Sequence, residues 1–141
     1  MVKNLNINSV DSSVNKILFH RLLALLKKEF YFEVESLLIN FVTSEYLLNI
    51  NETYLKHNYY TDIITFDYSK KKLLIDAELY ISLQDARKNA KKYHVPLEQE
   101  LMRLVIHGVL HLLGFDDKNT EKRVVMKRIE NKLINKYKLL I

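Results

Sequence analysis

The stretch His107-Gly-Val-Leu-His-Leu-Leu-Gly-Phe-Asp-Asp117 constrains this chain more than any other. Histidines four residues apart lie on one face of an α-helix, one turn from each other. The helix around them is apolar, with Leu101, Leu104, Val105 and Leu112 in its stripe. Such a helix belongs in a core and carries His107 and His111 inward with it. Gly114 then ends the helix in a left-handed turn and sends the chain back toward the histidine face. Two imidazole nitrogens and the carboxylate of Asp117 are thereby expected to converge on one metal ion. Zinc accepts His nitrogen and Asp oxygen, and three protein ligands leave a place for water. Asp116 competes with Asp117; one binds, and the other orients the loop or a histidine. The competing reading makes both histidines ordinary core residues and Asp117 a cap of the last helix.

The two glycines of the chain, Gly108 and Gly114, both fall in this stretch. Glycine inside a helix costs ~1 kcal/mol against alanine. At Gly108, close packing of another element or approach of substrate beside His107 supplies a reason for it.

With 141 residues, the chain is expected to be a single domain, 1–141, with a real core. It has no cysteine, which excludes disulfides and thiolate metal sites and leaves His and carboxylates as ligands. No apolar run is long enough to span a bilayer, and Met1 to Asp11 lacks a secretory pattern. A cytoplasmic location is expected. The formal net charge of +5 permits a polyanionic partner such as RNA. Lys118 to Ile141 holds eight Lys/Arg against two Glu. That reads first as a solvated helix face, with RNA contact as the alternative.

Apolar periodicity places the elements. Val2 to Val10 reads as a strand. A helix capped by Asp11 or Ser12 runs to about Phe30. Glu33 to Phe41 is a strand, and Thr43 or Ser44 opens a helix with Tyr46, Leu47, Ile50 and Tyr54 on one side. Thr61–Asp67 and Leu73–Ser82 pair as a hairpin, and Leu83 to Tyr93 is a basic helix. Pro96 precedes the motif helix. Asn119 or Thr120 opens the last helix, with Val125, Ile129 and Leu133 as its buried side. The expected fold is α+β: a small mixed β-sheet packed with about five helices, the metal-site helix central, in a zincin-like arrangement. His20, His57 and His94 stand alone and read as surface or packing residues.

In the zinc-peptidase pattern His-Glu-x-x-His, the glutamate is the general base. Gly108 stands in that place, which argues against a peptidase. Metal activation of water at a phosphoryl centre remains open.

His-Gly-x-Leu-His-Leu-x-Gly-Phe-Asp followed by a ligand resembles the signature of the YbeY family of bacterial endoribonucleases, also called rRNA maturation factors. Asn51-Glu-Thr-Tyr54, Thr61-Asp-Ile-Ile-Thr-Phe66 and Ala77-Glu-Leu-Tyr-Ile-Ser82 precede it in the family's order and spacing. The resemblance implies a mixed α/β fold, one zinc ion and single-strand-specific RNA cleavage. It also implies a role in 16S rRNA 3′-end maturation and ribosome quality control, with the ribosome or its small subunit as partner. It places the first two metal ligands at His107 and His111.

Three departures stand out. The third ligand, usually histidine in the family, is Asp117. It adds a negative charge to the metal's surroundings, which is expected to weaken Lewis acidity and makes Fe(II) or Mn(II) less implausible. The family arginine after the Asn-x-x-Tyr block is replaced by Leu55. Lys56 is the remaining candidate for phosphate contact, although lysine lacks the guanidinium fork. Ala77-Glu78 replaces the family's Gly-Asp, at what reads as a sheet edge. The leading expectation is a metal-dependent endoribonuclease. The alternatives are a non-enzymatic, zinc-stiffened ribosome-assembly factor that binds rRNA or a ribosomal protein, and a hydrolase of another substrate.

Overall fold

The computed structural model describes residues 1–55 and 61–141. In chain order the elements are β1 (Leu5–Ser9), α1 (Lys16–Phe30), β2 (Glu33–Val42), α2 (Ser44–Tyr54), β3 (Ile63–Asp67), β4 (Leu74–Ser82), α3 (Leu83–Lys92), α4 (Leu97–Leu112) and α5 (Thr120–Tyr137). A 3₁₀ turn follows at Lys138–Leu140. The strands form one mixed sheet in the order β1-β2-β4-β3. β1, β2 and β4 run parallel, and β3 returns antiparallel to β4, as the expected hairpin requires.

Parallel neighbours need crossovers, and helices supply them. α1 joins β1 to β2 and buries Leu18, Phe19, Leu22, Leu23 and Leu26 at helical spacing. In β4, side chains alternate between faces: Ile75, Ala77, Leu79 and Ile81 are buried, and the residues between them are half-exposed. Leu79 belongs to the main core with α1, α4 and α5. Its neighbour Tyr80 points the other way, against a smaller cluster of Val42, Leu47, Ile50 and Ile64 under α2.

Gly108 shows why α4 sits so close to the sheet. A Cβ there would lie 3.0 Å from Leu79 Cδ2 and 3.2 Å from Ile63 Cδ1. Close packing against β3 and β4, rather than room for substrate, accounts for this glycine.

Several expectations shift in detail. α1 is capped by Asn15, whose side chain accepts from the backbone N–H groups of Ile17 and Leu18. Asp11 is already engaged, accepting from Ser13 and pairing with Arg87. In α2, Leu47, Ile50 and Asn51 are buried, whereas Tyr46 and Tyr54 are exposed. β4 lies between β2 and β3, so Ala77-Glu78 is not at an edge; Ala77 is buried in the core. α5 buries Met126, Glu130, Leu133, Ile134 and Tyr137, while Val125 is exposed. Of the expected Val125, Ile129 and Leu133, Leu133 is buried and Ile129 packs against the core, but Val125 is replaced on the inner face by Met126 and Glu130. Packing chose the stripe with the larger side chains, although it carries a glutamate inward.

Candidate metal centre

α4 buries Leu101, Met102, Leu104, Val105, Ile106, Val109 and Leu110. The face it leaves open carries His107 and His111, both half-buried. Their rings meet edge to face with centroids 4.6 Å apart, and their Nε2 atoms face each other across 3.0 Å.

The helix ends at Leu113 in a Schellman turn. The N–H of Phe115 donates to the carbonyl of Leu110 at 3.0 Å, and that of Gly114 to His111 at 3.1 Å. Gly114 takes φ +101°, a conformation that glycine adopts without a Cβ penalty. The turn folds the following loop over the histidine face. Asp117 Oδ2 then stands 3.9 Å from His107 Nε2 and 3.8 Å from His111 Nε2. One donor atom from each of the three residues lies within 4.8 Å of the others. Two ligands on a tetrahedral zinc ion with bonds of about 2.0–2.1 Å are about 3.3 Å apart. Separations of 3.0 to 3.9 Å bracket that value, so the donor set fits a small divalent cation.

Asp116 does a different job. Its carboxylate accepts from the backbone N–H of Lys118 at 3.1 Å and from Lys122 Nζ at 3.3 Å, tying the loop to the first turn of α5. These bonds and charges hold Asp116 below the usual carboxylate range.

Glu130 completes the arrangement, and sequence reasoning missed it. Its Oε2 lies 2.6 Å from His107 Nδ1, with the carboxyl group buried. A carboxylate can only accept, so Nδ1 carries the proton, and in the neutral ring Nε2 turns its lone pair toward His111 and Asp117. Arg103 lies 3.7 Å from Glu130 and 3.9 Å from the equally buried Glu100, and donates to Asn131 at 3.0 Å. The available signal was the apolar set Met126, Leu133, Ile134 and Tyr137, which puts position 130 on the inner face. A glutamate in that stripe marks a charge with a buried partner.

Opposing influences set the titration of the imidazoles. Burial pulls His107 down most strongly. The hydrogen bond and charge of Glu130, with the charges of Asp117 and Asp62, outweigh it, and His107 stands above its ordinary value. Burial, then the charge of His107, holds His111 below its ordinary value. Burial raises Asp62 and Glu100 above the usual carboxylate range.

A cleft of about 1120 Å³ opens beside the group. Its lining includes His107 and Asp117, Asp62, Glu100 and Arg103, and several residues of α5. Leu55 caps α2 and is 39 % exposed, so no guanidinium comes from that position. Lys56 and His57 lie outside the described residues. Glu78 accepts from the hydroxyls of Tyr68 at 2.7 Å and Tyr80 at 3.2 Å. That places it on the sheet face opposite Leu79 and α4. His20 is half-buried and His94 is exposed; neither joins the group.

A family model described as Endoribonuclease YbeY matches residues 2–138. A protein named Endoribonuclease YbeY from Bacteroides fragilis is 45% identical over 94 residues, covering 67% of each chain. One of the same name from Cytophaga hutchinsonii is 43% identical over 105 residues, covering 74% of this chain and 73% of its own. The solution structure of TM1509 from Thermotoga maritima superposes with a TM-score of 0.67 at 24% identity. It covers 94% of this chain and 88% of its own, and carries the same fold.

Proposed function

Because the chain belongs to the endoribonuclease YbeY family, we propose that it is a zinc-dependent hydrolase of phosphodiester bonds in single-stranded RNA. Its proposed setting is the cytoplasm, in maturation of the 16S rRNA 3′ end and ribosome quality control, with the ribosome or its small subunit as partner. No helix among the described residues is long and apolar enough to cross a membrane.

The observation that carries this reading is the convergence of His107 Nε2, His111 Nε2 and Asp117 Oδ2 beside a cleft that His107 and Asp117 line. These three residues would hold the metal. When bound, zinc supplies Lewis acidity at a phosphoryl oxygen and lowers the pKa of a water molecule at its open position.

The chain's own residues prepare that site. Glu130 keeps His107 in the tautomer whose Nε2 faces its partners. Asp116, held by Lys118 and Lys122, steadies the loop that presents Asp117. The buried flank of α4 fixes the two imidazoles, so little reorganisation is needed when a ligand arrives.

Two measurements test the proposal. Metal analysis of protein purified without added zinc is expected to find about one zinc per chain; iron or manganese as the sole metal would overturn the zinc assignment. Single-stranded rRNA incubated with the wild-type protein is expected to be cut. The His111→Ala variant, with its circular dichroism unchanged, is expected to be inactive. Equal cutting by both proteins would point to a contaminating nuclease and sink the reading.

A further inference from the structure

The cleft beside His107 and Asp117 is lined by buried acids and by exposed cations. The buried acids Glu100 and Glu130 already have partners. Glu130 bonds His107 and lies 3.7 Å from Arg103, and Glu100 lies 3.9 Å from the same guanidinium. The exposed part of α5 in this lining is cationic. Arg123 and Lys127 both line the cleft and are exposed, and neither forms an ion pair among the described residues. They stand one helical turn apart on one face.

Arg123 is also anchored. Its guanidinium donates to the backbone carbonyl of Asp117 at 3.2 Å and to Thr120 Oγ1 at 3.3 Å. That holds a positive charge in the lining of the cleft, next to a candidate metal ligand, with N–H donors to spare. Lys127 continues the row away from it. Four residues advance about 6 Å along a helix, on the order of the distance between neighbouring phosphates in an extended strand. At the end of α3, Tyr93 also lines the cleft and is 60 % exposed.

We infer that the Arg123–Lys127 row of α5 is the track for the sugar–phosphate backbone of a single-stranded RNA, with Tyr93, which lines the same cleft, as a stacking surface for a base. This rests on the nuclease reading and adds to it how the strand is held. Two cations spaced by a turn contact successive phosphates, and an aromatic ring accepts any unpaired base by its π-face. A base within a duplex is already stacked and has no free face to offer. The track therefore favours single strands without reading sequence.

The test uses zinc-loaded protein and a fluorescein-labelled single-stranded oligoribonucleotide, with affinity measured by anisotropy from about 50 to about 200 mM KCl. The double variant Arg123→Gln/Lys127→Gln is expected to bind more weakly. The slope of log affinity against log salt should become shallower by about 1.4, at about 0.7 per lost phosphate contact on a single strand. A control of equal charge change, Lys132→Gln/Lys138→Gln, removes exposed lysines outside the cleft and is expected to keep the wild-type slope. Tyr93→Ala is expected to weaken single-strand binding while leaving the slope unchanged. Melting curves check that each variant is folded.

An unchanged slope in the track variant, or an equal loss of slope in the control, overturns the track while wild-type cleavage leaves the nuclease reading standing. A wild-type protein that neither binds nor cuts RNA overturns both.

Discussion

Glu130 shows how much can depend on one side chain. A buried carboxylate is costly unless it is paired, and this one has the Nδ1–H of His107 at 2.6 Å and Arg103 nearby. Glu130→Gln keeps the volume but loses the charge-assisted bond that selects the His107 tautomer. Zinc affinity, read by competition with a chromophoric chelator, is expected to fall by roughly 10–100-fold. Unchanged affinity would show that His107 needs no such orienting partner. The two glycines are explained differently from each other. Gly114 meets nothing within 4 Å and is there for its positive φ, whereas Gly108 is there for lack of space. In Gly108→Ala, the gain in helix propensity is ~1 kcal/mol, and overpacking against Leu79 and Ile63 costs roughly 1–3 kcal/mol. A net loss of about 1 kcal/mol is expected from urea denaturation. A stabilised variant would mean that the Leu79 side chain yields easily.

Among the elements, α4 was legible and α5 only in part. An apolar helix with two histidines at four-residue spacing and a terminal glycine leaves few ways to arrange its faces, because the 3.6-residue period settles them locally. The expected inner face of α5 ran through Val125, Ile129 and Leu133. Leu133 is buried and Ile129 packs on the core, but Met126 and Glu130 take the place of Val125, because Met126 and Tyr137 fill the core and Glu130 finds His107 there. Truncating Met126 and Val125 in turn tests this. Met126→Ala, at 1 % exposure, is expected to lose about 2–5 kcal/mol of unfolding free energy. Val125→Ala, at 47 % exposure, is expected to change it by no more than about 0.5 kcal/mol. Equal losses would mean that α5 packs in the other register. The start of α1 was misplaced for a related reason: Asp11 is a good cap in isolation, but its carboxylate is taken by Ser13 and Arg87.

For the whole molecule, the candidate ligands bridge the end of α4 and the loop into α5, and Glu130 ties α5 back to α4. A metal held there would couple these parts and stabilise the fold by mass action. With free zinc at about 100 times its Kd, the gain is about 2.7 kcal/mol. Chelation is therefore expected to lower the melting temperature and zinc to restore it; a melting temperature indifferent to both would leave the metal without a role in holding α5. By itself, the sequence determined what depends on near neighbours: the strands and helices in order, the shared face of His107 and His111, and the turn at Gly114 that returns Asp117 to them. Helical period and glycine's backbone freedom act over a few residues, so their consequences can be read from spacing. Tertiary structure alone decided the order β1-β2-β4-β3, the interior place of β4, the burial of Glu130 against His107 and the mixed lining of the cleft. Those depend on which faces pack together across long stretches of chain, and that choice is made by the fit of side-chain volumes and buried charges, which no local pattern encodes.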